Sequence, residues 1–411
     1  MSEKEQAARE AVIAAGKKLL ASGLIARTWG NVSARLSEEE FLITPSGRAY
    51  EDLQPEDLVV CRVADGQVAD SGSPSVNGKV ADAGNPLATG KRTTAGKPSS
   101  EKGVHAAVYR QHPEAAFVIH THQDYATSLS TLGRGFVPDW EDGDAAAILG
   151  PQVATAAYGL SGTKKLTKNV ESCLAANPGS RCLLMQGHGA VCFGQDAEEA
   201  FRVAETLEQV AAHQYRRLTG RLFPVEVEAT VGTAGAIAAG TSPDAPAGAD
   251  SAASAWHRVL RREIHEEYDR HYLLFEKGKI GGIVESAHPF IRKMSESGRP
   301  LTVYVDDLAQ IAGLHIPCLP ADVAEKKLVA ALKNGGAVLI RGKGAVCASG
   351  TLDDALALEQ VLVKGCMAAL LARAGQKPIP VKAVSGNLEH LVYQKKYSKL
   401  KAGSHAEKTD A

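Results

Sequence analysis

Between residues 3 and 22 the apolar side chains Val12, Ile13, Leu19 and Leu20 recur among charges at helical spacing, and Ser22-Gly23 follows where a glycine can close the last turn. The chain therefore opens on an amphipathic helix. Short β-like runs come next at 40–44, 58–63, 116–121 and 181–185, with helical patterns between and after them at 103–111 and 197–217. Strands and helices mixed in this way predict an α/β or α+β domain. Two stretches break the pattern. Residues 65–97 are rich in Gly, Ser, Ala and Asn and read as a long surface loop, while 232–253, almost wholly Gly, Ala, Thr, Ser, Pro and Asp, reads as a linker. Beyond it, 256–275 reads as a charged helix.

The apolar pattern also repeats. Leu183-Leu-Met-Gln-Gly-His-Gly-Ala-Val-Cys192 is echoed by Val338-Leu-Ile-Arg-Gly-Lys-Gly-Ala-Val-Cys347, and each is followed by an acidic, alanine-rich helical stretch. The echo extends backward from Leu132-Gly-Arg134 to Ser297-Gly-Arg299, and from Gly143-Asp-Ala-Ala-Ala-Ile-Leu-Gly150 to Asp306-Asp-Leu-Ala-Gln-Ile-Ala-Gly313. This predicts one full domain over 1–231, a Gly/Ala-rich linker over 232–254, and a partial, degenerate copy with a basic tail over 255–411.

Composition narrows the function classes. The chain has 411 residues, with 46 Lys and Arg against 47 Asp and Glu, so no global field favours nucleic acid or an anionic membrane. No run approaches the ~18 apolar residues of a membrane span, and the charged opening lacks the apolar core of a signal peptide. The 7 cysteines contain no Cys-x-x-Cys pair, which argues against a disulfide frame or a thiolate zinc knuckle. A cytoplasmic, soluble protein is expected, with no nucleic-acid or membrane partner, and any anion that binds must do so locally.

His120-Thr-His122 ends an apolar run. In a strand, residues two apart share a face, so both imidazoles can reach one ion, although solvated histidines are the commoner meaning of such a pair. His188 lies between two glycines, which suits either a ring projecting into a cleft or an ordinary turn. Three neutral histidines with an open fourth position suit catalytic zinc, whereas harder ions prefer carboxylates. Gly30-Asn-Val-Ser33, Thr44-Pro-Ser-Gly47 and Pro98-Ser-Ser-Glu101 each offer hydroxyl, amide or backbone N–H donors suited to a phosphate, or a plain turn or helix cap. Beside a metal, the Glu101 carboxylate can take and return a proton.

The ordered series Gly30-Asn31-Val32-Ser33, Thr44-Pro45-Ser46-Gly47, Pro55-Glu56-Asp57-Leu58-Val59, Ser99-Ser100-Glu101, His120-Thr121-His122, Tyr158-Gly159 with Gly162-Thr163, and Gly187-His188-Gly189 resembles the class II aldolase/adducin family over roughly residues 5–220. The resemblance implies a three-layer α/β (α+β) fold with a central, mainly antiparallel sheet flanked by helices. It implies a divalent metal, with zinc the expected ion, on His120, His122 and His188, and Glu101 as the acid/base. Asn31, Ser46, Gly47, Ser99 and Ser100 become the substrate phosphate cradle. The implied activity is that of a lyase: reversible aldol cleavage of a phosphorylated ketose to dihydroxyacetone phosphate and an aldehyde through a metal-stabilised enediolate. Epimerisation, decarboxylation or dehydration of a sugar phosphate is the alternative within the family, and a non-catalytic adducin-like assembly protein the alternative outside enzymes. A homo-oligomer is implied, with active sites where neighbouring domains meet.

The partial copy departs from this pattern. Lys343 stands where His188 does, and Glu285-Ser-Ala287 aligns with His120-Thr-His122, leaving His288 one position out of register. A lysine ammonium has no lone pair for a metal. The copy is therefore expected to be catalytically inert and used for packing or assembly. The basic tail 393–401 reads as a solvated helix end, with contact to an acidic partner as the rival meaning.

Overall fold

The computed structural model describes residues 2–25, 29–69, 96–138, 144–220, 256–261, 271–277 and 279–391. The proposed linker, the middle of the 65–97 loop and the basic tail lie outside the described residues. The opening helix α1 (Glu3–Ala21) is capped by Ser2, whose hydroxyl accepts from Glu5 N, and buries Val12, Ile13 and Leu19 as its spacing predicts. Seven strands then form one sheet: β1 (Asn31–Arg35), β2 (Glu40–Ile43), β3 (Val59–Arg62), β4 (Phe117–Thr121), β5 (Ala154–Ala156), β6 (Cys182–Met185) and β7 (Gly189–Gly194), in the order β3-β2-β1-β4-β7-β6-β5. Every pairing is antiparallel except β5–β6. The helices of this half are α2 (Lys102–Gln111), α3 (Asp124–Ser130), α4 (Ala145–Leu149), α5 (Lys164–Ala176) and α6 (Ala197–Thr219).

Strand alternation sorts the two faces of this sheet. Val118, Leu183, Met185 and Val191 pack with Val104, Val108, Leu166 and Val170 of α2 and α5. Ile119, Leu184, Ala190 and Cys192 face the other way, toward Phe201, Leu207 and Val210 of α6. His120 shares its parity with Val118, and Asn31 pairs with it across β1–β4. Both therefore belong to the face where α2 begins.

A second sheet follows. Its strands are β8 (His257–Arg261), β9 (Gly282–Ser286), β10 (Cys318–Leu319), β11 (Gly336–Ile340) and β12 (Gly344–Ser349), in the order β10-β11-β12-β9-β8. Read from its other edge, this is the order of β1, β4, β7, β6 and β5, with the same single parallel pairing at the end. Counterparts of β2 and β3 are missing among the described residues. The helices are α7 (Tyr272–Lys277), α8 (Pro289–Ser295), α9 (Asp306–Ala312), α10 (Glu325–Leu332) and α11 (Leu352–Arg373), followed by a helical segment at 383–391. The expected charged helix at 256–275 is corrected here. Residues 257–261 are a strand whose exposed charges Arg258 and Arg261 lie three apart, a spacing that imitates one face of a helix over so short a window.

One core runs through both halves. Val284, Phe290, Ile291, Met294, Leu358, Leu362 and Met367 join the same buried cluster as Phe201, Leu207 and Val210, and α11 packs against α3, α6 and α8. Helix α11 is long and apolar enough to cross a membrane, but 83% of its most apolar window is buried inside the protein, as suits the central helix of a core.

Candidate active site

The site forms where β4 ends beside the β6–β7 turn. Gly187 has φ +69°, and a Cβ on Gly189 would stand 2.3 Å from Thr121 O, so glycine at 189 lets the hairpin close against β4. His188 is thereby placed next to His120, with the rings stacked at 5.0 Å and 8°. His122 closes the group, its ring 4.5 Å from His120 and 4.9 Å from His188. All three histidines are buried.

The remaining ring nitrogens fix the tautomers. His120 Nδ1 lies 2.8 Å from Ala190 O, and a carbonyl can only accept, so Nδ1 carries the hydrogen. His122 Nδ1 donates to Asp307 Oδ2 at 2.6 Å, and His188 Nδ1 donates to Asp306 Oδ2 at 2.6 Å. With each Nδ1 committed, the neutral rings turn three Nε2 lone pairs toward one point, and their donor atoms fall within 4.8 Å of one another. His120 Nε2 and His122 Nε2 stand 2.8 Å apart. Two lone pairs at that distance repel unless a cation or proton lies between them. Three neutral imidazoles around such a point fit a borderline divalent ion such as zinc.

Glu101 completes the cluster. Its Oε1 lies 2.7 Å from His188 Nε2 and its Oε2 3.1 Å from His120 Nε2. Burial would raise its pKa, but the two imidazoles outweigh that and hold the carboxyl well below its ordinary range. Burial likewise depresses His188, and here Asp306 and Glu101, one on each ring nitrogen, reverse the sign and push it well above its ordinary value. His122 is held down at about 4, because burial and the neighbouring rings outweigh Asp307.

A directed chain of hydrogen bonds orients Glu101. Asn31 Nδ2 donates to Glu101 Oε2 at 3.1 Å, which leaves Asn31 Oδ1 to accept from His105 Nε2. His105 is neutral, with burial lowering its pKa to about 3, so its Nδ1 accepts from Ser33 Oγ at 2.6 Å and the Tyr109 hydroxyl, 2.8 Å away, donates to Ser33. Ser161 Oγ donates to Glu101 Oε1 from the other side at 3.0 Å.

The sequence-derived phosphate residues are brought to the same end of the sheet. A bridge between Pro45 and Pro98 sets Thr44-Gly47 beside Pro98-Glu101. Ser46 is half-buried, and Gly47 and Ser100 are exposed. Ser99 is buried with its hydroxyl accepting from Glu101 N, and Asn31 is buried with its amide engaged by Glu101 and His105. Sequence reasoning missed Ser161, His105, Asp306 and Asp307. The Asp306-Asp307 pair was visible only as part of the repeat, because nothing local ties a helix start to histidines more than a hundred residues away.

The corresponding place in the second sheet is different. Glu285 pairs with Val346 as His120 pairs with Val191, so Glu285-Ser-Ala287 does stand in register with His120-Thr-His122. Glu285 is bonded to His271 at 2.7 Å, and Lys343 is exposed. Among the described residues, ligand-like groups occur only at His120, His122 and His188 and, sharing His188, at Asp306 and Asp307.

Comparison with known proteins bears on this site. The family model described as "Class II Aldolase and Adducin N-terminal domain" matches residues 10–215. A 5-deoxy-D-ribulose 1-phosphate aldolase of Bacillus thuringiensis serovar kurstaki is 32% identical over 215 residues, covering 51% of this chain and 85% of the relative. A methylthioribulose-1-phosphate dehydratase of Methylococcus capsulatus is 30% identical over 207 residues, covering 48% and 87%. Among solved structures, an L-fuculose-1-phosphate aldolase from Thermus thermophilus matches with TM-score 0.40 and 26% identity, over 54% of this chain and 100% of that one.

Proposed function

This chain belongs to the class II aldolase and adducin family, and on that premise we propose that it is a divalent-metal-dependent aldolase that cleaves a phosphorylated ketose reversibly to dihydroxyacetone phosphate and an aldehyde. The observation that carries the reading is the convergence of three Nε2 atoms and the Glu101 carboxylate at one buried point. His120, His122 and His188 would hold the ion. Once bound, a divalent ion supplies Lewis-acid polarisation of a carbonyl and stabilises the negative charge that develops there. Zinc is the ion that the three-imidazole donor set favours.

Glu101 moves the proton at the carbon next to the carbonyl, returning it in cleavage and removing it in synthesis. Its two oxygens are held by Asn31 and Ser161, so the carboxylate is oriented before substrate arrives, as a positioned base requires. The half-buried Ser46 and the exposed Gly47 and Ser100, with Asn31 and Ser99 buried behind them, are proposed to receive the phosphate. A cytoplasmic location belongs to the same reading, supported by seven free cysteines, as does self-association, which light scattering would read.

Screening ketose 1-phosphates, 5-deoxyribulose 1-phosphate among them, with a coupled assay for dihydroxyacetone phosphate tests the proposal. Release of that product from at least one substrate, abolished by chelation and restored by zinc, supports it. The dehydratase relative favours a second reading, loss of water from a related sugar phosphate at the same site. Consumption of substrate with formation of a dehydrated product and no dihydroxyacetone phosphate would select it. Epimerisation or decarboxylation would likewise leave their own products. A non-catalytic assembly role is disfavoured, since burying three imidazoles and an acid at one point serves no packing need.

A further inference from the structure

The second half of the chain reaches the candidate metal centre at three places. Asp306 N, at the start of α9, donates to Gly187 O at 2.9 Å and so docks that helix on the turn carrying His188. Asp306 and Asp307 then accept the Nδ1 hydrogens of His188 and His122, both at 2.6 Å. From α11, the buried Lys364 Nζ donates to His122 O at 2.6 Å. Both aspartates are only 3% exposed. Buried carboxylates are costly unless paired, and these two are paired with the two imidazoles whose free nitrogens point at the centre.

Among the described residues the first half has no such pair. At the echoed positions it carries Gly143-Asp144, and Asp144 is exposed before α4. We infer that the degenerate second copy finishes the metal centre of the first within one chain, with Asp306 and Asp307 as positioning residues that fix the tautomers and ring orientations of His188 and His122. The inference rests on the reading that the three histidines hold a metal. A carboxylate behind a ligating imidazole fixes its ring and raises its basicity, and removing such a partner typically costs about 10–100-fold in metal affinity. A copy that has lost its own ligands thus keeps a chemical reason to remain attached.

The test uses the full-length protein. Asp306→Asn, Asp307→Asn and the double variant keep the size of the side chain and an oxygen acceptor but remove the charge, and Asp144→Asn is the control. Zinc affinity is measured by competition with a chromophoric chelator, alongside melting of the metal-free proteins. Each single substitution should weaken zinc binding by about 10–100-fold, the double more, with metal-free melting little changed and the control at wild-type affinity. A folded double variant within about threefold of wild type overturns the inference.

Should a variant fail to fold, the cobalt-substituted wild-type protein decides. Its proton spectrum should show hyperfine-shifted, slowly exchanging N–H resonances from His122 and His188, and their absence overturns the inference. Zinc binding that survives the double substitution but is lost in His188→Ala sinks this inference alone. Absence of zinc binding by the wild-type protein sinks it together with the reading it rests on.

Discussion

Replacing Glu101 by glutamine separates shape from charge at the site. Glu101 receives Asn31 Nδ2 at 3.1 Å and Ser161 Oγ at 3.0 Å. Asn31 cannot flip its amide, because its Oδ1 is held by His105, so the glutamine must turn its oxygen toward Asn31 and its NH2 toward Ser161. The serine hydroxyl can rotate and accept. Both of these contacts survive at a cost to folding below about 1 kcal/mol, the net worth of a typical hydrogen bond, while the metal-free protein also loses the carboxylate charge facing His188 and His120, so melting is compared on the metal-loaded protein. Proton transfer does not survive, because an amide has no basic site near neutral pH. Loss of a positioned base costs about two to four powers of ten, which is about 2.7–5.4 kcal/mol of barrier. The direct assay follows deuterium exchange from solvent into dihydroxyacetone phosphate, which reports the proposed proton step without requiring the aldehyde to be known. Metal content and melting temperature are measured on the same preparation. Exchange within about threefold of wild type in a metal-loaded, folded Glu101→Gln protein would place the proton transfer on another group and refute the assignment.

His188→Ala should remove most bound metal and activity together, and elemental analysis of the wild-type protein should give one divalent ion per chain, since Glu285 and Lys343 stand where the second sheet would need imidazoles. Gly189→Ala places a Cβ 2.3 Å from Thr121 O, so β4 and β7 must part; a stability loss of about 1–3 kcal/mol with weakened metal binding is expected by denaturant titration. Glu208 accepts from Tyr125 N and Ala126 N, while burial and Asp124 push its pKa from 4.5 up to about 7. An acid raised in the folded state contributes stability below about pH 4.5 that is lost as pH rises through about 7, so Glu208→Gln should flatten the fall in stability between those values, and an unchanged slope would reject the cause. Tyr109→Phe removes only the first donor of the Ser33–His105–Asn31 chain, and should lower the deuterium-exchange rate several-fold with metal content intact.

The parts of this fold that were legible in the sequence are those fixed by local period. The opening helix and the strands ending at Ile43, Arg62, Thr121 and Met185 follow from runs of apolar residues whose spacing a single element decides. Strand β1 escaped because its five residues, Asn-Val-Ser-Ala-Arg, carry polar side chains on the face turned toward α2, where Asn31 and Ser33 are buried by hydrogen bonding and not by apolarity. Strand β8 escaped for the opposite reason, since its Arg258 and Arg261 are exposed on an edge of the second sheet. At the site, histidines two apart on a strand and a histidine between glycines are readable as chemistry, and so is a glutamate at a helix start. What holds them is not. Ser161, His105 and the aspartates act through contacts 60 to 185 positions apart in sequence, which no window of residues contains.

The contacts that cross between the two halves also bear on why they share one chain. A site completed by a separate molecule forms only as far as mass action allows, and its integrity falls with protein concentration. Here the groups behind His122 and His188 arrive on the same polypeptide, where a tether sets a high effective concentration and dilution does not separate them. The apolar side chains of α8 and α11 that join the core around α6 make the same point in packing: Phe290 meets Tyr215 at 5.8 Å, and the Tyr215 hydroxyl donates to Met367 O at 3.0 Å. Burial of this kind is set by shape and does not need the second sheet to keep a metal ligand of its own. In the second half Glu285 is bonded to His271 and Lys343 is exposed, whereas Asp306, Asp307 and Lys364 reach His188 and His122. Which residues of the second half bear on the histidines thus follows from a single geometric fact, which side of it touches them.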